Sequence, residues 1–126
     1  MDKIEISVII TNYNYSNYLN RSIRSAFVQN YPVEKYEILV IDDASSDNSK
    51  EIIESFGNLI TKMYLKTNVG LAKARNIGVN ICNGKYILFL DADDFIHRDL
   101  IYIESLFLDQ NHEFDAVAVD YYTADN

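Results

Sequence analysis

Short apolar runs of strand length recur along this chain, separated by stretches whose apolar residues fall at helical spacing. Residues 4–10 form a β-branched run that closes in a polar turn, Thr11-Asn12-Tyr13-Asn14. Asn14 or Ser16 can cap a helix over residues 17–29, with Leu19, Ile23, Ala26 and Phe27 along one face, and Pro32 then breaks the pattern. Residues 36–41 predict a second strand, ending in Asp42-Asp43-Ala44-Ser45-Ser46-Asp47. Ser46 or Asp47 can cap a helix over residues 49–56 that turns Ile52, Ile53 and Phe56 inward and stops at Gly57. A third strand over 59–66 leads through Thr67-Asn68-Val69-Gly70 to a helix over 71–82, with Leu71, Ala74, Ile77, Gly78 and Ile81 on one face. Gly84 ends it. The charge-free run Tyr86-Ile87-Leu88-Phe89-Leu90 suits a strand covered on both sides, and it stops in Asp91-Ala92-Asp93-Asp94. Residues 98–110 offer Leu100, Ile101, Ile103, Leu106 and Phe107 for a buried helical face, and residues 115–122 read as a last strand.

Strands alternating with helices at this spacing predict a mainly parallel α/β sheet with right-handed crossovers. Ligands of such sheets bind beyond the carboxyl ends of the strands, where strand order reverses. Three strand ends here carry polar loops, at residues 11–14, 42–46 and 91–94, and they should meet on one rim.

Length and composition narrow what that rim can do. A chain of 126 residues, 48% hydrophobic, makes one domain with a real core and shows no internal repeat or linker. Its formal charge of −8 argues against nucleic acid as a partner and would repel a nucleotide diphosphate unless a cation intervened. The single cysteine, Cys82, fits a reducing compartment. Residues 1–3 lead straight into a strand with no secretion-signal pattern, and no apolar run approaches the ~18 residues of a membrane span.

If the chain stays extended past Leu90, Asp91 and Asp93 point the same way, and their repulsion asks for a proton, a basic partner or a divalent cation. One of these acids could merely cap the next helix, but three in four positions exceed a cap's needs. Carboxylates suit hard cations that keep most of their coordination shell for water and phosphate, so Mn²⁺ or Mg²⁺ is expected. Asp42 and Asp43 face opposite ways in an extended segment, so one of them can look into the site while the other serves the turn. Tyr13 offers either a stacking face for a base or a cover for the sheet edge. Lys73 and Arg75 lie early on the third helix, near its positive end. His97 and His112 have no ligand-like spacing, and there is no glycine-rich phosphate loop.

Four stretches occur in order: Ser7 to Asn14, Ile38 to Asp47, Asn68-Val69-Gly70 through Ala74-Arg75-Asn76-Ile77-Gly78, and Gly84-Lys85-Tyr86 through Asp94. Together they resemble the nucleotide-binding half of the family 2 glycosyltransferases, inverting enzymes of the three-layer, Rossmann-like GT-A fold. The resemblance implies that Tyr13 stacks on the base, that Thr11 lines its pocket, and that Asp43 (with Asp42 the less favoured choice) bonds uracil. It implies that Asn68 and Arg75 border the nucleoside and that Asp91 contacts the ribose. Asp93 would bind the metal, with Asp94 and Asp91 beside it, and Asn12, Lys73 and Ala92 complete the donor-binding set. Many members have proline where Thr11 stands; the loop stays polar here.

What the resemblance implies is transfer of a sugar from a UDP-linked donor to an acceptor hydroxyl with inversion, assisted by Mn²⁺ or Mg²⁺. It further implies a saccharide or lipid-linked acceptor, polysaccharide synthesis for the cell envelope, and a cytoplasmic setting at the inner face of the membrane. The catalytic base is expected beyond Asn126, so the 1–126 domain is expected to be truncated and poorly active in transfer. The alternatives are a non-catalytic nucleotide-sugar-binding module and a phosphohydrolase of the haloacid dehalogenase kind, which also uses an Asp-x-Asp after an apolar strand.

Overall fold

A computed structural model describes residues 3–124; Met1, Asp2, Asp125 and Asn126 lie outside the described residues, as do the outer limits of the expected 1–126 domain. Four strands, β1 (Ile6–Asn12), β2 (Tyr36–Asp42), β3 (Thr61–Tyr64) and β4 (Tyr86–Asp91), form one sheet in the order β3-β2-β1-β4, all parallel. The helices are α1 (Ser16–Phe27), α2 (Ser49–Glu54), α3 (Leu71–Ile81) and α4 (Leu100–Gln110). Strands are added outward from β1 to β3, and β4 then returns to the other side of β1. The reversal of strand order therefore lies between β1 and β4.

All seven residues of β1 are buried, as its apolar run requires of a strand paired on both edges and covered on both faces. On one face Val8, Ile10, Val40 and Leu90 pack with Leu19, Ile23 and Ala26 of α1, Ile53 of α2 and Ile101 of α4. On the other, Ile9 and Ile41 pack against Ala74 of α3, with Met63, Leu65 and Cys82 around them. The layers are helix, sheet, helix, but β4 is not covered on both sides as its charge-free run predicts: Ile87 and Phe89 stay exposed on the α3 side of this edge strand.

The strand and helix assignments from sequence hold for eight elements, with no end shifted by more than two residues. β3 starts late because Gly57–Leu59 forms a short 3₁₀ turn, which Gly57 permits with φ of 57°. Neither Asn14 nor Ser16 caps α1; Tyr15 holds that position without a side-chain bond. The predicted inward faces of α3 and α4 are only half right. Leu71 (50% exposed), Ile81, Ile103 (53%), Leu106 and Phe107 (38%) are exposed, because α3 packs on β1 and β2 through Ala74 and Gly78 and α4 turns Ile101 and Ser105 inward.

The last predicted strand does not form. Residues 115–122 have no strand assignment, and Val119 and Tyr121 stay exposed. Ala116 and Val117 lie along a groove beside β4, yet the outer edge of β4 pairs with no described strand. Alternating apolar residues make a strand only when a hydrogen-bonded neighbour completes the ladder.

Gly78 is where α3 meets β1 most closely: a Cβ there would stand 2.6 Å from Ile9 Cγ2 and 3.2 Å from Ile9 Cδ1. The β-branched Ile9 is stiff and cannot swing clear, so α3 would have to lift. Gly78→Ala should lower stability by about 1–2 kcal/mol, overpacking outweighing a helix-propensity gain of under about 1 kcal/mol. The urea midpoint checks this; an unchanged or higher midpoint contradicts it.

Candidate active site at the carboxyl edge of the sheet

Parallel register sets the rim. Thr11 lies opposite Asp91, and Asn12 lies opposite Asp42, so three strand ends finish at one level. The Asp43 N–H donates to the Asn12 carbonyl at 2.8 Å, continuing the ladder one residue beyond β2.

Asp42 and Asp43 are both buried and serve opposite sides, as alternation requires. Asp42 accepts from Asn12 Nδ2 (2.8 Å), from the Ser45 N–H (3.0 Å) and from Ser45 Oγ (2.7 Å). Asp43 accepts from the N–H groups of Val69 (2.7 Å) and Gly70 (2.9 Å), just ahead of α3, while its carbonyl accepts from Asn68 Nδ2 at 3.4 Å. Each buried carboxyl is satisfied by neutral donors, which removes the penalty of burying it unpaired.

Tyr13, 47% exposed, projects from a turn that these bonds immobilise. Asn14 takes φ of 60°, a left-handed conformation that asparagine tolerates, and its Oδ1 accepts from the Ser46 N–H at 2.7 Å. The Asn14 N–H donates back to Ser45 Oγ at 2.9 Å. Asp47 then joins two helix starts: its carboxylate accepts from the Ser16 N–H (2.9 Å) at α1 and the Ser49 N–H (3.0 Å) at α2. The sequence pointed to Ser46 or Asp47 as a cap for the second helix; Asn48 takes the cap position, with Asp47 bonding Ser49 from just before it. The bond of Asp47 to the first helix was invisible because it links residues 31 apart.

The acidic cluster forms differently from its expectation. The chain does not stay extended past Asp91. It turns, with the Asp94 N–H donating to the Asp91 carbonyl at 3.0 Å, and the turn gathers what alternation alone would have separated. One carboxylate oxygen from each of Asp91, Asp93 and Asp94 lies within 4.8 Å of the others. Asp93 and Asp94 are exposed, and buried Ala92 leaves the turn no bulk beneath them. Burial, and then the negative charges of Asp93 and Asp91, push the Asp94 carboxyl above its ordinary range; Arg21 offsets part of this. Arg75 Nη2 donates to Asp91 Oδ1 at 2.8 Å, and its guanidinium lies 5.3 Å from the centre of the Phe89 ring. An all-oxygen donor set with mutually repelling charges fits a hard divalent cation.

The structure thus brings together Thr11, Asn12, Asp42, Asp43, Asn68, Arg75, Asp91, Ala92, Asp93 and Asp94, with Tyr13 at the mouth. Lys73 is exposed on the first turn of α3 and makes no ion pair or hydrogen bond among the described residues. Sequence reasoning missed Asn14 and Ser45, whose signal was their place in an Asn- and Ser-rich turn. It also missed Ser22, whose Oγ donates to the Asp91 carbonyl at 3.0 Å from the core side of α1.

The family model described as glycosyl transferase family 2 matches residues 7–126. The chain belongs to this family. It is 43% identical over 113 residues to an uncharacterized glycosyltransferase of Haemophilus influenzae, covering 85% of this chain and 43% of that protein. It is 31% identical over 112 residues to the poly(ribitol-phosphate) beta-N-acetylglucosaminyltransferase TarS of Staphylococcus aureus, covering 86% of this chain and 20% of TarS. The crystal structure of TarS residues 1–349 superimposes with a TM-score of 0.80 over 86% of this chain and 33% of that one, and related structures hold UDP and UDP-GlcNAc. The chain thus spans less than half the length of these relatives. Its fold is that of GT-A glycosyltransferases, and family membership sets aside the phosphohydrolase reading.

Asp47 gives the rim a measurable signature. Burial alone would raise its carboxyl, but hydrogen bonds from Ser49 and Ser16 outweigh this and hold it at about 2. A lowered carboxyl contributes stability that is fully present above about pH 4 and lost as pH falls toward 2. Asp47→Ala should therefore cost about 1–2 kcal/mol at pH 7, the order of a lost helix cap. Its deficit against the unaltered protein should shrink between pH 4 and 2; urea titrations across that range would show a constant deficit if the assignment is wrong.

Proposed function

We propose that the rim binds a UDP-linked sugar together with Mn²⁺ or Mg²⁺ and presents it for inverting transfer to an acceptor hydroxyl. The observation that carries this reading is the gathering of Asp91, Asp93 and Asp94 at the reversal of strand order. The TarS complexes with UDP and UDP-GlcNAc support the choice of nucleotide.

In this reading Tyr13 stacks on the base over Thr11, and Asn12 fixes the turn from below. Asp43 uses one lone pair of each oxygen on the α3 amides and keeps the others for a base imide. Asn68 borders the nucleoside. Arg75 holds Asp91 through Oδ1 and leaves Oδ2 for a ribose hydroxyl. Asp93 and Asp94 would hold the cation with Asp91 adjoining, and a bound cation would supply charge neutralisation at the leaving diphosphate. Lys73 contributes only a nearby positive charge. Acceptor contacts and the general base belong, in this proposal, to polypeptide beyond Asn126.

Calorimetry with UDP tests it. With Mn²⁺ the protein should bind UDP, and chelation should weaken that binding at least about tenfold, since the acidic turn alone repels a diphosphate. Asp93→Ala should bind UDP equally with and without Mn²⁺. Undiminished, metal-dependent binding by Asp93→Ala would remove the cation from this cluster, and no binding of UDP by the unaltered protein would end the donor reading.

A further inference from the structure

Arg21 stands beside the acidic turn without being used by it. It projects from the middle of α1, exposed, with its guanidinium carbon 4.5 Å from the centre of the Phe95 ring. Phe95 directly follows Asp94, so the shelf that carries Arg21 is the next residue after the acids. Two bonds fix the helix to this loop: Ser22 Oγ to the Asp91 carbonyl at 3.0 Å and the Ile96 N–H to Ser25 Oγ at 3.2 Å. Arg21 is thereby held in place from both sides, yet it forms no ion pair among the described residues.

The two nearby arginines are engaged, and Lys73 lies across the rim on α3. Arg24 donates to Asn20 and lies over Phe56, away from the rim, and Arg75 is bound to Asp91. Arg21 keeps a planar fork of N–H donors open beside the acidic turn. A guanidinium resting on a ring is partly ordered before binding, and its fork matches two oxygens of a phosphate. We propose that Arg21, steadied by Phe95, binds the diphosphate of the donor from the α1 side. This rests on the donor reading above and adds to it a second, metal-independent contact to phosphate.

Affinities for UDP and for uridine, both with Mn²⁺, separate this from a structural role. Arg21→Gln should weaken UDP about tenfold, the order of one charge-assisted hydrogen bond, and leave uridine within about twofold. Phe95→Leu, which removes the shelf but keeps the charge, should weaken UDP about threefold by loosening the guanidinium. Both variants should melt with the unaltered protein, since neither side chain is buried. Equal losses for UDP and uridine would show that α1 had moved, and overturn the proposal. So would tighter Mn²⁺ binding by Arg21→Gln with UDP unaffected, the mark of a residue that only neutralises the acids. Absence of UDP binding by the unaltered protein would defeat the donor reading and this proposal together, whereas UDP binding indifferent to Arg21 defeats this proposal alone.

Discussion

Everything at the rim is registered to β1. It is buried along its whole length and hydrogen-bonded to β2 and β4, and a parallel ladder allows no slip without exposing one apolar face. The register makes Thr11 level with Asp91 and Asn12 level with Asp42. Polar groups excluded from the strands are therefore delivered to one edge at one height. The convergence of acids follows from the packing of the core.

That convergence creates a problem which the chain solves residue by residue. Asp42 is satisfied by Asn12 and Ser45, Asp43 by the amides before α3, and Asp47 by the starts of α1 and α2. Asp91 has Arg75. The side chains of Asp93 and Asp94 accept no hydrogen bond among the described residues, and both face solvent. The carboxylates that build the loops are thus distinguished from those left for a ligand by their donors. Position in the sequence does not separate them, since Asp42-Asp43 and Asp93-Asp94 look alike as dipeptides.

What could be read in the sequence was whatever depends on local pattern. Apolar, β-branched-rich runs gave β1, β2 and β4, and helical spacing gave α1 to α4. The alternation of the two implied a rim where Thr11, Asp43 and Asp91 would meet. What escaped depends on partners distant in the chain. The segment 115–122 has the pattern of a strand and no neighbour to pair with. Ile103 and Phe107 have helical spacing on the exposed side of α4, where Phe107 meets only the late-chain Phe114 ring among the aromatic contacts of the described residues. Asp47 and Ser22 look like ordinary turn and helix residues until the fold places an amide or a carbonyl against them. The turn after Asp91 belongs to the same class: extended alternation predicted that two acids would align, and a hydrogen bond between backbone groups of Asp91 and Asp94 drew three together.

The balance of charge at this turn explains why the fold can keep it. A chain of net charge −8 gains nothing electrostatically by gathering three of its acids in one turn, and the carboxyl of Asp94, raised first by burial and then by Asp93 and Asp91, carries part of that cost. Arg75 relieves Asp91 from the α3 side, and Arg21 acts on Asp94 from the α1 side. Neither arginine closes the cluster: one carboxylate is bound, one is influenced from a distance, and Asp93 is left to solvent. Stronger internal pairing would stabilise the turn and abolish its attraction for a cation. Weaker pairing would leave repulsion acting on a turn held at Asp91 by backbone bonds. Intermediate compensation on two sides, with the third side open, keeps the turn intact while preserving the field that a divalent ion and a diphosphate could answer together.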